Sequence, residues 1–87
     1  MKLQWEDRAW NDYLYWQTQD KKTLKKINRL IRVMQRTPFE GEGSPEPLKG
    51  NLSGWWSRHI NEADRIVYYV EGEGLYIIAC RGHYGDH

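Results

Sequence analysis

Three polar side chains sit where the sequence gives them no evident structural task. Glu46 stands between Pro45 and Pro47, Arg65 opens the apolar run Ile66-Val-Tyr-Tyr-Val70, and His83 follows Cys80-Arg-Gly82. A carboxylate, a guanidinium and an imidazole are the groups that metal-free RNA cleavage needs. A base takes the proton from the ribose 2′-OH, a cation stabilises the phosphorane-like transition state, and an acid protonates the leaving 5′-oxygen. Each residue also has a plainer reading: a solvated loop acid for Glu46, an ion-pair partner of Glu62 or Asp64 for Arg65, an exposed and idle imidazole for His83. Position alone does not choose between them.

Other chemistries are poorly supplied. Among His59, His83 and His87 no two lie at helical ligand spacing, so no metal site is expected. Gly41-Glu-Gly43 lacks a strand before it and a helix after it, so no nucleotide loop is expected either. The single cysteine, Cys80, excludes an internal disulfide and a cysteine-rich zinc site. It reads as a buried strand residue with no activating neighbour. No cofactor is expected.

The trio must be positioned by one small domain, 1–87. Its 13 Lys and Arg against 12 Asp and Glu give a net charge of +1, and that balance hides a segregation. Residues 21–38 hold Lys21, Lys22, Lys25, Lys26, Arg29, Arg32 and Arg36 and no acid, whereas 39–47 hold Glu40, Glu42 and Glu46 and no base. A basic helix face is the electrostatic footprint of a polyanion partner, and equally of a solvated surface. The longest apolar run, Leu75–Cys80, is too short to cross a membrane. Met1–Asp7 carries no apolar signal region, so a cytoplasmic location is expected.

Periodicity supplies the elements. Residues 2–5 read as a short strand with Leu3 and Trp5 on one face. Residues 7–18 read as a helix, with Asp7 as a candidate cap and Trp10, Tyr13, Leu14 and Gln17 as its apolar stripe. Asp20 is the better cap, for a helix over 21–36 with Leu24, Ile27, Leu30, Ile31 and Met34 on one face. Thr37-Pro38 ends it, because a residue before proline avoids the helical region. Residues 38–50 contain three prolines and three glycines and must be irregular; long ordered loops in small domains tend to carry function. Strands are expected at 52–60, 65–70 and 75–81. The order β-α-α-β-β-β predicts an α+β fold, an antiparallel sheet with a helical hairpin on one face. For Arg65 and His83 to share a face, the last hairpin needs an odd loop. Gly72-Glu73-Gly74, with Gly74 left-handed, provides one. It sets Arg65 opposite Arg81 and leaves His83 on that face beside Glu46.

Several strings are more specific. They are Asn11-Asp-Tyr-Leu-Tyr-Trp16, Arg36-Thr-Pro-Phe-Glu-Gly41, Pro45-Glu-Pro-Leu-Lys49, Asn51-Leu-Ser-Gly54, Trp56-Ser-Arg58, Arg65-Ile-Val-Tyr68 and Ala79-Cys-Arg81 followed by His83-Tyr84. Through them nearly the whole chain resembles the YoeB-like toxins, in the RelE/ParE superfamily of type II toxin–antitoxin systems. The resemblance implies a microbial-RNase-like fold and a ribosome-dependent endoribonuclease that cleaves mRNA in the A site and so inhibits translation. It also implies a cognate YefM-like antitoxin, binding of operator DNA only as the toxin–antitoxin complex, and a homodimer as in many relatives. Carried onto this sequence, Glu46 becomes the general base, His83 the general acid and Arg65 the phosphate clamp. Lys49, Arg58, Arg81 and Tyr84 become substrate contacts, and Lys21, Lys22, Lys25, Lys26 and Arg29 become the ribosome-facing set. Two departures stand out. His59 replaces a second arginine beside Arg58, and Gly85-Asp86-His87 follow the tyrosine at which family chains end. Two further readings stay open: a non-catalytic toxin of the superfamily that binds ribosome or gyrase, and a basic RNA-binding module with a vestigial site. Gyrase-poisoning branches lack the Glu/Arg/His set.

Overall fold

The chain forms β1 (Lys2–Trp5), α1 (Asp7–Gln19), α2 (Lys21–Arg36), β2 (Glu46–Pro47), a 3-10 turn (Gly50–Leu52), β3 (Trp56–His59), β4 (Arg65–Glu71) and β5 (Gly74–Ala79). These elements are those of a computed structural model, which describes residues 1–83. The class is α+β, as the pattern predicts. The five-stranded sheet runs β1-β5-β4-β3-β2. It is antiparallel except at one seam, where β1 lies parallel to β5 with Leu3 opposite Leu75 and Trp5 opposite Ile77. That pairing sets the two inward side chains of β1 beside two buried side chains of β5. Pro47, which cannot donate to a ladder, is tolerated because β2 is an edge strand.

The core lies between the helices and one face of the sheet. Ile27, Leu30, Ile31 and Met34 of α2 pack with Ile66, Tyr68, Leu75 and Ile77. Asp20 caps α2 as expected, accepting hydrogen bonds from the Lys22 and Thr23 amides and, at 2.7 Å, from the Thr23 hydroxyl. Helix α1 departs from its predicted face and its predicted cap. Its buried residues are Ala9, Asp12 and Trp16, while Trp10 and Leu14 stay 45% and 42% exposed. The inner face is built on polar anchoring: Asp12 accepts from the Cys80 amide at 3.0 Å, and the Trp16 indole donates to the Cys80 carbonyl at 2.8 Å. An aspartate and an alanine hide such a face from any apolar count. Glu6, not Asp7, precedes the first turn, and its side chain makes no capping bond.

The last hairpin corrects the odd-loop expectation. Glu71 pairs with Gly74, so the turn has two residues, Gly72 and Glu73. Gly72 takes a φ of 58°, the conformation that glycine adopts without steric cost, and Gly74 is not left-handed. The single-residue offset comes instead from a bulge. Tyr68 pairs with Ile77 but Val67 pairs with Ala79, leaving Ile78 as the extra residue. Strand β3 also starts later than predicted, at Trp56, because the 3-10 turn and Gly54, with a φ of 99°, occupy the preceding segment.

Candidate active site

Register decides which side chains can meet. Glu46 pairs with Ser57, Ser57 with Val67, and His59 with Arg65. Directly opposed residues share a face, so Glu46, His59 and Arg65 lie on the sheet face away from the helices. Glu46 is exposed on β2, fixed by a proline on either side, and its Oε1 is 3.7 Å from His59 Nε2. It also lines, with Lys49, a surface cleft of about 680 Å³ running from Glu46 to Leu52. Arg65 is 9% exposed, and its Nη1 approaches the Asn61 and Glu62 carbonyls at 3.4 Å. The Arg65 amide donates to the Gly82 carbonyl at 3.0 Å, and Asp64 Oδ1 accepts from the Gly82 amide at 2.7 Å. Together they tie the segment leading into His83 to the start of β4. His83 itself is exposed.

Arg58, expected to contact substrate, does not share the face of Glu46 and Arg65. The neighbour of His59 on an alternating strand points the opposite way, into the core, and is completely buried. Its Nη1 donates to the Glu42 carbonyl at 3.0 Å, and its Nη2 reaches the carbonyls of Thr37 at 3.1 Å, Pro38 at 3.3 Å and Glu40 at 3.0 Å. Its Nε has no partner. Tyr68, whose hydroxyl burial pushes up, donates to the Pro38 carbonyl at 2.6 Å. Backbone carbonyls that an irregular loop would otherwise bury unpaired are thereby satisfied. The segment before Glu46 is thus pinned from inside the sheet.

The expected placement of Arg81 opposite Arg65 is corrected. Strand β5 ends at Ala79, the chain bends, and the Arg81 guanidinium sits 3.6 Å above the Tyr15 ring of α1. Arg8 Nη2 donates to its carbonyl at 3.3 Å. Arg81 therefore lies against the helical layer and does not join Arg65. Tyr84 lies outside the described residues.

The basic set divides. Lys22, Lys25, Lys26 and Arg29 line a groove of about 490 Å³ with Thr23, Ile60 and Asn61, while Lys21 lies outside it. Arg29 is already engaged: its Nε and Nη2 donate to the two Glu42 carboxylate oxygens at 3.0 and 2.5 Å. These bonds hold the Glu42 carboxyl below its ordinary value and raise Arg29. Sequence reasoning missed the inward turn of Arg58 and the pairing of His59 with Glu46. Strand alternation across Trp56-Ser-Arg-His59 is the signal that could have found the first; the second also needs the register that sets Glu46 opposite Ser57.

The matching sequence-family profile, described as the YoeB-like toxin of bacterial type II toxin-antitoxin systems, covers residues 5–84. The toxin YoeB of Escherichia coli K12 is 61% identical over 97% of this chain and 100% of its own, and that of Synechocystis is 54% identical over 97% and 98%. Among solved structures, a YoeB/ParE toxin from Agrobacterium tumefaciens superposes with a TM-score of 0.94 at 51% identity, covering 97% of this chain and 100% of that one. The toxin of a Staphylococcus aureus YoeB–YefM heterotetramer does so with a TM-score of 0.88 at 42% identity, over 97% and 98%. With that identity running across almost all of its length, this chain belongs to the YoeB-like toxins of bacterial type II toxin–antitoxin systems.

Proposed function

We propose that this toxin is a ribosome-dependent endoribonuclease that cuts mRNA in the A site and thereby inhibits translation. The observation that carries the reading is that Glu46 and Arg65 share the sheet face away from the helices, with Lys49 in the cleft at Glu46. Glu46 takes the proton of a ribose 2′-OH, and the freed oxygen attacks the adjacent phosphorus. Arg65 and Lys49 hold the phosphate and its developing charge. His83 gives a proton to the departing 5′-oxygen. The products are a 2′,3′-cyclic phosphate and a 5′-hydroxyl. The nucleophile is internal to RNA, so DNA is not a substrate and no metal is required. The basic groove of α2 faces ribosomal RNA. A YefM-like antitoxin, the partner in the solved S. aureus complexes, neutralises the toxin in the cytoplasm. The complex binds operator DNA, and the free toxin forms a homodimer, as its S. aureus relative does.

Primer extension on mRNA from expressing cells tests the reading. Discrete cuts are expected, reduced about 10²–10⁴-fold in rate by Glu46→Gln or by His83→Ala. Both variants cutting normally would remove the acid–base assignment. Toxicity without any cuts would point to the non-catalytic alternative.

A further inference from the structure

We propose that His59 is the positioning residue of the base, gripping Glu46 and the loop that carries it; the inference rests on the nuclease reading above. His59 makes two contacts to one short segment. Its amide donates to the Gly43 carbonyl at 2.7 Å, and its imidazole Nε2 stands 3.7 Å from Glu46 Oε1. The first contact sets the main chain three residues before the carboxylate. The second places the imidazole beside the carboxylate, at ion-pair rather than hydrogen-bond distance. His59 is in turn fixed in β3, paired with Arg65. One residue thus relates the base to the strand bearing the clamp.

Two other roles fit the geometry less well. In-line transphosphorylation places the attacking and leaving oxygens on opposite sides of phosphorus, so acid and base must flank the phosphate. A group 3.7 Å from the base lies on the base's own side and is badly placed to protonate the leaving oxygen. Nor is the pair a stabilising ion pair of consequence. Its side chains are 40% and 65% exposed, and such pairs contribute little to folding. Orientation remains. Small errors in the placement of a proton-transfer group are costly in rate, and Glu46 reaches out from an edge strand of two residues.

The test is single-turnover cleavage by the full chain on mRNA-programmed ribosomes, with His59→Gln, His59→Arg, Glu46→Gln and the His59→Gln/Glu46→Gln double variant. His59→Gln is expected to lower kcat roughly five-fold with KM unchanged, the scale of one exposed ionic contact. His59→Arg, which keeps a donor at that place, should recover most of the loss. In the Glu46→Gln background His59→Gln should have no further effect, because it acts through that carboxylate. Equal melting temperatures of His59→Gln and the parent would exclude a folding defect; if that variant melts early, His59→Arg against the parent carries the comparison. A further slowing in the double variant would overturn the inference and make His59 a substrate contact. Parent-like kcat in His59→Gln, with Glu46→Gln inactive, would overturn it while leaving the nuclease reading intact. Parent-like cleavage by Glu46→Gln would overturn both.

Discussion

Gly43 packs against Arg58 so closely that a Cβ on the glycine would lie 2.4 Å from Arg58 Cγ and 3.0 Å from the His59 carbonyl. Its φ of 92° is also one that other residues rarely adopt. Gly43→Ala should therefore destabilise the domain by about 1–3 kcal/mol. Chemical denaturation measures it, and a variant as stable as the parent would show that the loop does not rest on this contact.

Arg58 answers for the same loop from below. Arg58→Met fills much of the volume but leaves the carbonyls of Thr37, Glu40 and Glu42 without their donor. The expected loss is about 1–3 kcal/mol, since an unpaired buried polar group costs about that much and these carbonyls are part-buried. Amide exchange in folded Arg58→Met should quicken across 37–43. Unchanged stability with a loss confined to RNA binding would restore Arg58 as a substrate contact.

Acid should weaken the fold through two carboxylates. The Thr23 hydroxyl holds Asp20 below its ordinary value, and Arg29 does the same for Glu42. A carboxyl depressed by folding binds its proton more weakly folded than unfolded. Its contribution is present above the unfolded value and lost as pH falls through the folded one. The parent should melt higher than Glu42→Gln at neutral pH, with the gap closing below the ordinary carboxylate range. A gap that does not change with pH would remove this linkage.

Ribosome binding should respond to Lys25 and Lys26 while the loop's hydrogen bonds stay in place, because Arg29 bonds Glu42 and Lys26 acts on it only through its charge. Charge reversal at both should weaken binding and flatten its salt dependence by about one log unit per lost phosphate contact. The melting temperature should fall only slightly, through the lost attraction between Lys26 and Glu42. An unchanged affinity and salt slope would return the stripe to a solvated face.

Some of this molecule is plain in its residues. Helix α2 is legible because Asp20 and five apolar residues at helical spacing agree. Helix α1 exists where expected but buries a face other than its apolar stripe, since it is anchored through Asp12 and Trp16 to the Cys80 backbone, 68 and 64 positions away in sequence. The Ile78 bulge leaves no mark in composition, because an extra isoleucine in an apolar strand looks like any other. Glu46 is conspicuous only by its flanking prolines, and its role as base is what the resemblance implies. What separates Arg58 from His59 is strand alternation alone, which becomes decisive only once the strand's start is known.

The parallel seam has a consequence in time. Lys2 finds its place against Gly74, and Trp5 against Ile77, so the opening strand waits for the closing one. On an elongating ribosome the helical hairpin emerges early, yet its apolar face lacks β5 until Ala79 has been made. Such remote closure slows folding relative to local pairing. The face that carries Glu46, His59 and Arg65 therefore assembles only after β5 has emerged, and a nascent chain arrested before Gly74 carries these three residues without the strand that completes their support.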